Sequence, residues 1–188
     1  MTLKILGGEF SGRLLKAPKG TQTRPTTSML RKAVFDILQP TIQDAVFLDL
    51  FSGSGAMGIE ALSRGARLAI FVDCHRAAIQ TLKENLSLLN LEAKSRIIQS
   101  DVFKALTKLQ EMNTICDIIY ADPPYDKSKL YLELLKFFDT SPLLRPQGML
   151  FLESPTPSPL ENLSLTHLKP LSSRKYGSST LFQFLTNP

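Results

Sequence analysis

The chain has 188 residues, 43% of them hydrophobic, which suits one globular domain over residues 1–188 with a substantial core. No apolar run approaches the ~18 residues that a membrane-spanning helix needs, and the stretch from Met1 to Leu6 is too short for a signal-peptide core. Cys74, Cys116, His75 and His167 stand in no ligand spacing, which argues against a disulfide framework or a metal site and for a reducing, cytoplasmic compartment.

In chain order, Leu3–Leu6 and Arg13–Lys16, joined through Gly7-Gly8 and Ser11-Gly12, suggest a β-hairpin. Thr26 or Thr27 can then cap a helix with Leu30, Ala33, Val34, Ile37 and Leu38 on one side. This segment, residues 1–40, carries the whole net charge of +5: Lys4, Arg13, Lys16, Lys19, Arg24, Arg31 and Lys32 face only Glu9 and Asp36. A local cationic surface attracts phosphate, so a polyanionic partner is a reasonable expectation beside the plainer one of a solvated basic face.

From residue 41 onward short apolar strands alternate with amphipathic helices, which predicts an α/β fold with a mostly parallel sheet. The strands are Val46–Phe51, Leu68–Val72, Ser95–Gln99, Cys116–Ala121 and Gly148–Glu153. The helices between them are Ala56–Arg64, Arg76–Leu89, Val102–Glu111 and Lys129–Phe138. Ser154–Pro159 reads as a loop, because its alternating prolines remove backbone donors. Two last strands are predicted at Leu163–Leu168 and Thr180–Leu185.

The turn Asp49-Leu50-Phe51-Ser52-Gly53-Ser54-Gly55-Ala56-Met57-Gly58 joins the first core strand to its helix. Glycines there let the backbone approach a ligand, and the helix end offers free N–H groups. Asp73, ending the next strand, is placed to bind ribose hydroxyls. A dinucleotide and S-adenosylmethionine both fit this description. Asp49 separates them: it would repel a diphosphate, but balances the ammonium and sulfonium charges of S-adenosylmethionine. Asp101, ending the third strand, can accept from an adenine amine, with the Val102 N–H beside it; capping the following helix is its competing role.

Asp122-Pro123-Pro124-Tyr125 follows the fourth strand at the edge where open α/β sheets place their ligands. An aromatic amine is a poor nucleophile, since its lone pair is delocalised into the ring. Hydrogen bonds from it to the Asp122 carboxylate and the Pro123 carbonyl favour a pyramidal nitrogen aimed at a sulfonium methyl. Asp122 can also take the departing proton, and Tyr125 can stack on an extruded base. The competing reading is a proline-rich turn with a solvated Asp and a packing Tyr.

Together these motifs resemble the amino-methyltransferases of the Rossmann-like (class I) fold. Ile5-Leu6-Gly7-Gly8 with Gly12-Arg13, Arg24-Pro25-Thr26-Thr27, Arg31-Lys32-Ala33-Val34-Phe35 and Arg174-Lys175-Tyr176-Gly177 narrow the resemblance. They are similar to the bacterial small-subunit (16S) ribosomal RNA guanine-N2 methyltransferase family, called D. The resemblance implies a seven-stranded sheet flanked by helices, an N-terminal hairpin extension contacting RNA, no metal, and a monomer acting on an assembling small subunit. It implies that Asp49, Phe51, Ser52, Gly53 and Gly55 line the methionine end of S-adenosylmethionine, and that Asp73, Asp101 and Val102 hold its ribose and adenine. Arg13, Arg24, Pro25, Thr26, Arg31 and Pro124 are the expected substrate contacts.

Three other readings remain in view. A DNA adenine-N6 or cytosine-N4 methyltransferase fits the tetrapeptide, but the short chain shows no separate target-recognition domain. A nucleotide-binding oxidoreductase fits Gly53-x-Gly55-x-x-Gly58 and is opposed by Asp49. A non-catalytic RNA-binding module is opposed by the joint presence of Asp122 and Tyr125.

Overall fold

The computed structural model describes residues 3–17, 28–124, 128–156 and 165–187. A short antiparallel ladder of β1 (Leu3–Lys4) and β2 (Leu14–Leu15) leads to α1 (Ser28–Leu38). The core then runs β3 (Val46–Leu50), α2 (Ala56–Ser63), β4 (Leu68–Asp73), α3 (Arg76–Leu88), β5 (Ser95–Gln99), α4 (Val102–Glu111), β6 (Cys116–Ala121), α5 (Ser128–Thr140), β7 (Leu144–Pro155), β8 (Leu168–Tyr176) and β9 (Ser179–Thr186). Seven of these strands form one sheet in the order β5-β4-β3-β6-β7-β9-β8, parallel from β5 to β7 and antiparallel on both sides of β9.

Strand periodicity sorts the core into two layers. In β3, Phe47 faces a cluster with Leu30, Val34 and Phe35 of α1, Ile59 of α2 and Leu82 of α3. Its neighbours Val46, Leu48 and Leu50 face Leu106 and Leu109 of α4 and Leu134 and Phe138 of α5. Each of these side chains is buried, and full burial of one such residue contributes roughly 1.5–3 kcal/mol. Among the described residues no helix is long and apolar enough to cross a membrane.

The chain reverses its strand order between β3 and β6: β4 lies on one side of β3 and β6 on the other. At such a switch the loops leaving the two strands diverge and open a crevice at their carboxyl ends. Asp49 of β3 and Asp122, directly after β6, border that crevice.

Two sequence expectations need correction. The predicted strand at 163–168 touches the observed β8 only at Leu168, and residues 163 and 164 lie outside the described residues. β8 carries Pro170, Ser172, Ser173, Arg174 and Lys175 on an exposed sheet edge. Such an edge needs no apolar alternation and tolerates proline, so the usual signal is missing. The predicted loop 154–159 begins later than expected, because Ser154 and Pro155 still pair with Thr180 and Ser179. β7 also starts earlier, at Leu144, ahead of a register shift and of Gln147 with φ 57°, a bulge that reads as a turn in the sequence. The entry to β8 is clamped by Asp139, whose carboxylate accepts from Thr166, His167 and Leu168 N–H at 2.7–3.0 Å. Burial works against its charge, but those donors hold it below the usual carboxylate range.

Candidate active site

Four adjacent parallel strands end in the same local pattern: an aromatic residue, one spacer, an acid. They are Phe47-x-Asp49 in β3, Phe71-x-Asp73 in β4, Tyr120-x-Asp122 at the end of β6 and Phe151-x-Glu153 in β7. Each aromatic belongs to the core layer shared with α1, α2 and α3. Because strand side chains alternate, the acid two residues on emerges on that same side at the carboxyl edge. The sheet thus lines up four carboxylates along one rim, with Asp49, Asp73 and Glu153 buried and Asp122 half-buried. Sequence reasoning finds three of them and misses Glu153, although the aromatic-x-acid repeat is a signal that could have found it.

Asp49 sits beneath the glycine turn. Its Oδ2 accepts the Gly58 N–H at 2.9 Å, inside the first turn of α2. Burial pushes its carboxyl up to about 7; the Gly58 N–H opposes this and the charge of Asp73 adds to it. Asp73 accepts from Gly53 N at 2.8 Å and His75 N at 2.8 Å, tying the turn to the end of β4. With Cys74 and His75 it brings three potential metal-ligand atoms within 4.8 Å. Its oxygens already serve backbone donors and the other two side chains are exposed, so the trio carries no ion assignment.

The glycines of the turn divide by cause. Gly53 has φ 53°, and a Cβ there would meet nothing within 4 Å, so its backbone faces open space. Gly55 has φ 82°, and a Cβ there would run into Leu82; one at Gly58 would strike the Phe71 ring. Packing, not ligand approach, explains those two positions. Phe51 takes φ 62°, a left-handed conformation that costs a non-glycine side chain of order 1–3 kcal/mol. Ser52 Oγ is buried with no hydrogen-bond partner among the described residues. An open backbone cradle, an orphaned hydroxyl and a buried acid lacking a countercharge fit the methionine end of S-adenosylmethionine. Asp101 caps α4 through Phe103 N at 3.0 Å, and Val102 is buried against the α4 layer of the core.

At the tetrapeptide, Pro123 is buried and Pro124 exposed; Tyr125 lies outside the described residues. Burial first, then the charges of Glu153 and Asp49, push the Asp122 carboxyl well above the usual range. The Pro123 carbonyl accepts from the Tyr131 hydroxyl of α5 at 2.9 Å. Glu153 accepts from the Tyr120 hydroxyl at 2.7 Å. Neither Tyr131 nor Glu153 is marked by any motif in the sequence.

The N-terminal segment is bound to this core. Glu60 of α2, fully buried, accepts from Leu6 N and Arg64 Nε, each at 2.8 Å, and faces Arg31 Nε at 3.8 Å. Arg31 also donates to Lys4 O at 2.6 Å. This corrects the expectation for Arg31: at 1% exposure it joins hairpin to helix and presents nothing to a substrate surface. Gly7 and Gly8 likewise belong to the junction, since a Cβ at Gly8 would overlap the Ser63 carbonyl. Asn85 of α3, fully buried, bonds both the N–H and carbonyl of Lys16 and donates to Ser54 O at 3.0 Å. Arg13 is exposed, whereas Arg24, Pro25 and Thr26 lie outside the described residues.

Comparison with known proteins places this architecture. Residues 3–185 match the family described as Conserved hypothetical protein 95. The chain is 40% identical to YlbH of Bacillus subtilis (strain 168) over 151 residues, covering 80% of this chain and 82% of that one. It is 36% identical to the ribosomal RNA small subunit methyltransferase D of Escherichia coli (strain K12) over 152 residues, covering 81% and 74%. Among solved structures, yhhF of Escherichia coli superposes with a TM-score of 0.84 at 26% identity, over 100% of this chain and 99% of that one. A hypothetical protein from a Thermus species gives 0.76 at 32% identity over 98% and 99%. A methyltransferase solved with S-adenosylhomocysteine, SMU.776, shares the fold with a TM-score of 0.65 at 19% identity over 83% and 49%. The chain therefore belongs to the Conserved hypothetical protein 95 family of class I methyltransferase fold, alongside relatives named ribosomal RNA small subunit methyltransferase D.

Proposed function

We propose that this protein transfers a methyl group from S-adenosylmethionine to the exocyclic N2 amine of a guanine in small-subunit ribosomal RNA. The observation that carries the reading is the juxtaposition at the β3/β6 switch: Asp122 and the Pro123 carbonyl stand next to Asp49 and the open turn at Gly53. Both parts of a methyl transfer to an amine are thus on one rim. Homology to rRNA methyltransferases supports RNA as the target, and the basic N-terminal segment supports a polyanionic partner.

S-adenosylmethionine supplies an electrophilic methyl on a cationic sulfur. The residues of the chain do the rest. Asp49 and Asp73 offer acceptors to the cationic and ribose parts. The Asp122 carboxylate and the Pro123 carbonyl each accept an N–H of the target amine, which turns the nitrogen lone pair toward the methyl. Asp122 then takes the proton that the methylated nitrogen releases, a role suited to a carboxyl whose proton affinity is raised by its surroundings. Arg13 and the segment around Arg24 contact the RNA backbone, in an assembling small subunit and with the protein as a monomer.

The test is methylation of unmodified 16S rRNA followed by digestion to nucleosides and mass spectrometry. The expected product is N2-methylguanosine. Asp122→Ala should lower its rate roughly 10- to 150-fold, the loss of one charge-assisted hydrogen bond, with little change in cofactor affinity. Methylation of adenine N6 instead, or full activity of Asp122→Ala, would falsify this reading.

A further inference from the structure

Glu153 is a buried carboxylate on the reactive rim that the transfer chemistry leaves without a task. Ala121 of β6 pairs with Leu152 of β7, so the next residues, Asp122 and Glu153, lie side by side at the edge. Neighbouring strands are about 4.8 Å apart, and both side chains follow an aromatic of the same core face. The Tyr120 hydroxyl donates to Glu153 Oε2 and fixes the direction of that carboxylate. An ionised carboxylate offers roughly four acceptor positions, so this bond leaves capacity for more. Leu181 of β9, opposite Glu153, is apolar.

We propose that Glu153 is a specificity-determining residue that selects guanine: beside Asp122, which takes an N–H of the target amine, Glu153 accepts the adjacent ring N–H. The proposal rests on the guanine-N2 reading above and deepens it. Guanine presents its 2-amino group next to N1–H, a donor beside a donor. Adenine and cytosine present their amines next to an unprotonated ring nitrogen, a donor beside an acceptor. A pair of carboxylates is acceptor-only, so it matches guanine at both positions. Against adenine or cytosine, Glu153 would face a lone pair with no proton between them, and sites built around a buried polar contact reject analogues that cannot make it. The competing role is purely structural, with Glu153 serving only to satisfy Tyr120. Glu153→Gln separates the two. The amide oxygen still accepts from Tyr120, but the side chain loses its charge and gains a donor able to face an unprotonated ring nitrogen.

The experiment first locates the methylated guanosine in 16S rRNA. It then compares short RNAs of that segment carrying guanosine or 2-aminopurine riboside at the target. 2-Aminopurine keeps the 2-amino group but has no N1–H. The wild-type protein should favour guanosine in kcat/KM by roughly 10- to 150-fold, the worth of one charge-assisted hydrogen bond. Glu153→Gln should lose most of that preference with unchanged cofactor affinity by calorimetry. An equal preference in both proteins would assign Glu153 to structure alone and overturn the proposal. Wild-type protein that methylates guanosine but treats 2-aminopurine equally overturns it as well, and does so even if the variant does not fold. Failure to make any N2-methylguanosine would sink the underlying reading instead.

Discussion

Oδ2 of Asp49 accepts the Gly58 N–H at 2.9 Å, so a buried acid of β3 is bonded into the first turn of the helix that follows it. The same carboxyl is raised to about 7, chiefly by burial. In the unfolded chain an Asp titrates near ~3.9. Between those values the folded protein holds a proton that the unfolded chain has released. Asp49 therefore contributes stability below about pH 4 that is lost as pH rises toward 7, before ligand binds. Thermal melts of the ligand-free protein should show this downward trend between pH 5 and 8, and Asp49→Asn should flatten it. Because S-adenosylmethionine brings positive charge to an ionised Asp49, the stabilisation it confers should grow over the same range. A cofactor-induced shift in Tm that is equal at pH 5.5 and pH 8 would remove Asp49 from the methionine site.

The Tyr131 hydroxyl holds the Pro123 carbonyl at 2.9 Å from a fully buried position in α5. A carbonyl oxygen has two lone pairs. With one taken by Tyr131, the other is fixed in direction for the incoming amine. Tyr131→Phe keeps the ring packing and removes that constraint. Its kcat should fall roughly 2- to 13-fold, matching a net hydrogen bond of about 0.5–1.5 kcal/mol, while cofactor affinity stays constant. If kcat is untouched, the carbonyl is held in place by other means.

Arg31 and Arg13 look alike in the sequence, and the structure gives them opposite work. Arg31 is buried against Glu60 and Lys4 O, whereas Arg13 is exposed. Removing one partner from a buried ion pair costs about 3–5 kcal/mol, and 1 kcal/mol shifts Tm by ~2–4 °C at this chain length. Arg31→Ala should thus lower Tm by roughly 6–20 °C. Arg13→Ala should leave Tm alone and reduce the slope of the salt dependence of RNA binding by about 0.7 for each phosphate that Arg13 neutralises. Equal effects of the two changes on RNA binding, at equal stability, would return Arg31 to the substrate surface.

The contrast between the two arginines shows what a sequence can carry. Periodicity locates β3 to β6 and α2 to α5 to within a few residues, because two-sided burial writes an unbroken apolar signal. The rim acids Asp49, Asp73 and Asp122 are legible because each ends or follows a strand beside a recognisable ligand-binding motif. Glu153 has no such turn motif beside it, and Ser154 and Pro155 prolong its strand. Glu60, Asn85 and Tyr131 act across separations set only by the fold: Glu60 meets Leu6, Asn85 meets Lys16, Tyr131 meets Pro123. Charge counted along the chain groups Arg31 with the basic surface, since nothing in a linear count reveals that its buried partner is Glu60, on a different helix.

Asn85 is the remaining long-range contact with a functional consequence. Its amide bonds the backbone of Lys16 in both directions and the Ser54 carbonyl in the cofactor turn. Lys16 leads into the basic stretch that contains Lys19 and Arg24, so one fully buried side chain ties the start of that stretch to the turn. Asn85→Ala strands a backbone donor and two acceptors, each left-over group costing about 1–3 kcal/mol unless water reaches it. Two losses are then expected together: weaker cofactor binding by calorimetry and weaker RNA binding by titration. Asn85→Asp keeps the acceptor for Lys16 N–H but loses the donors to Lys16 O and Ser54 O. It should therefore retain more RNA affinity than cofactor affinity. Should both variants bind cofactor as the wild type does, the turn holds its shape without Asn85 and the tie is confined to the hairpin.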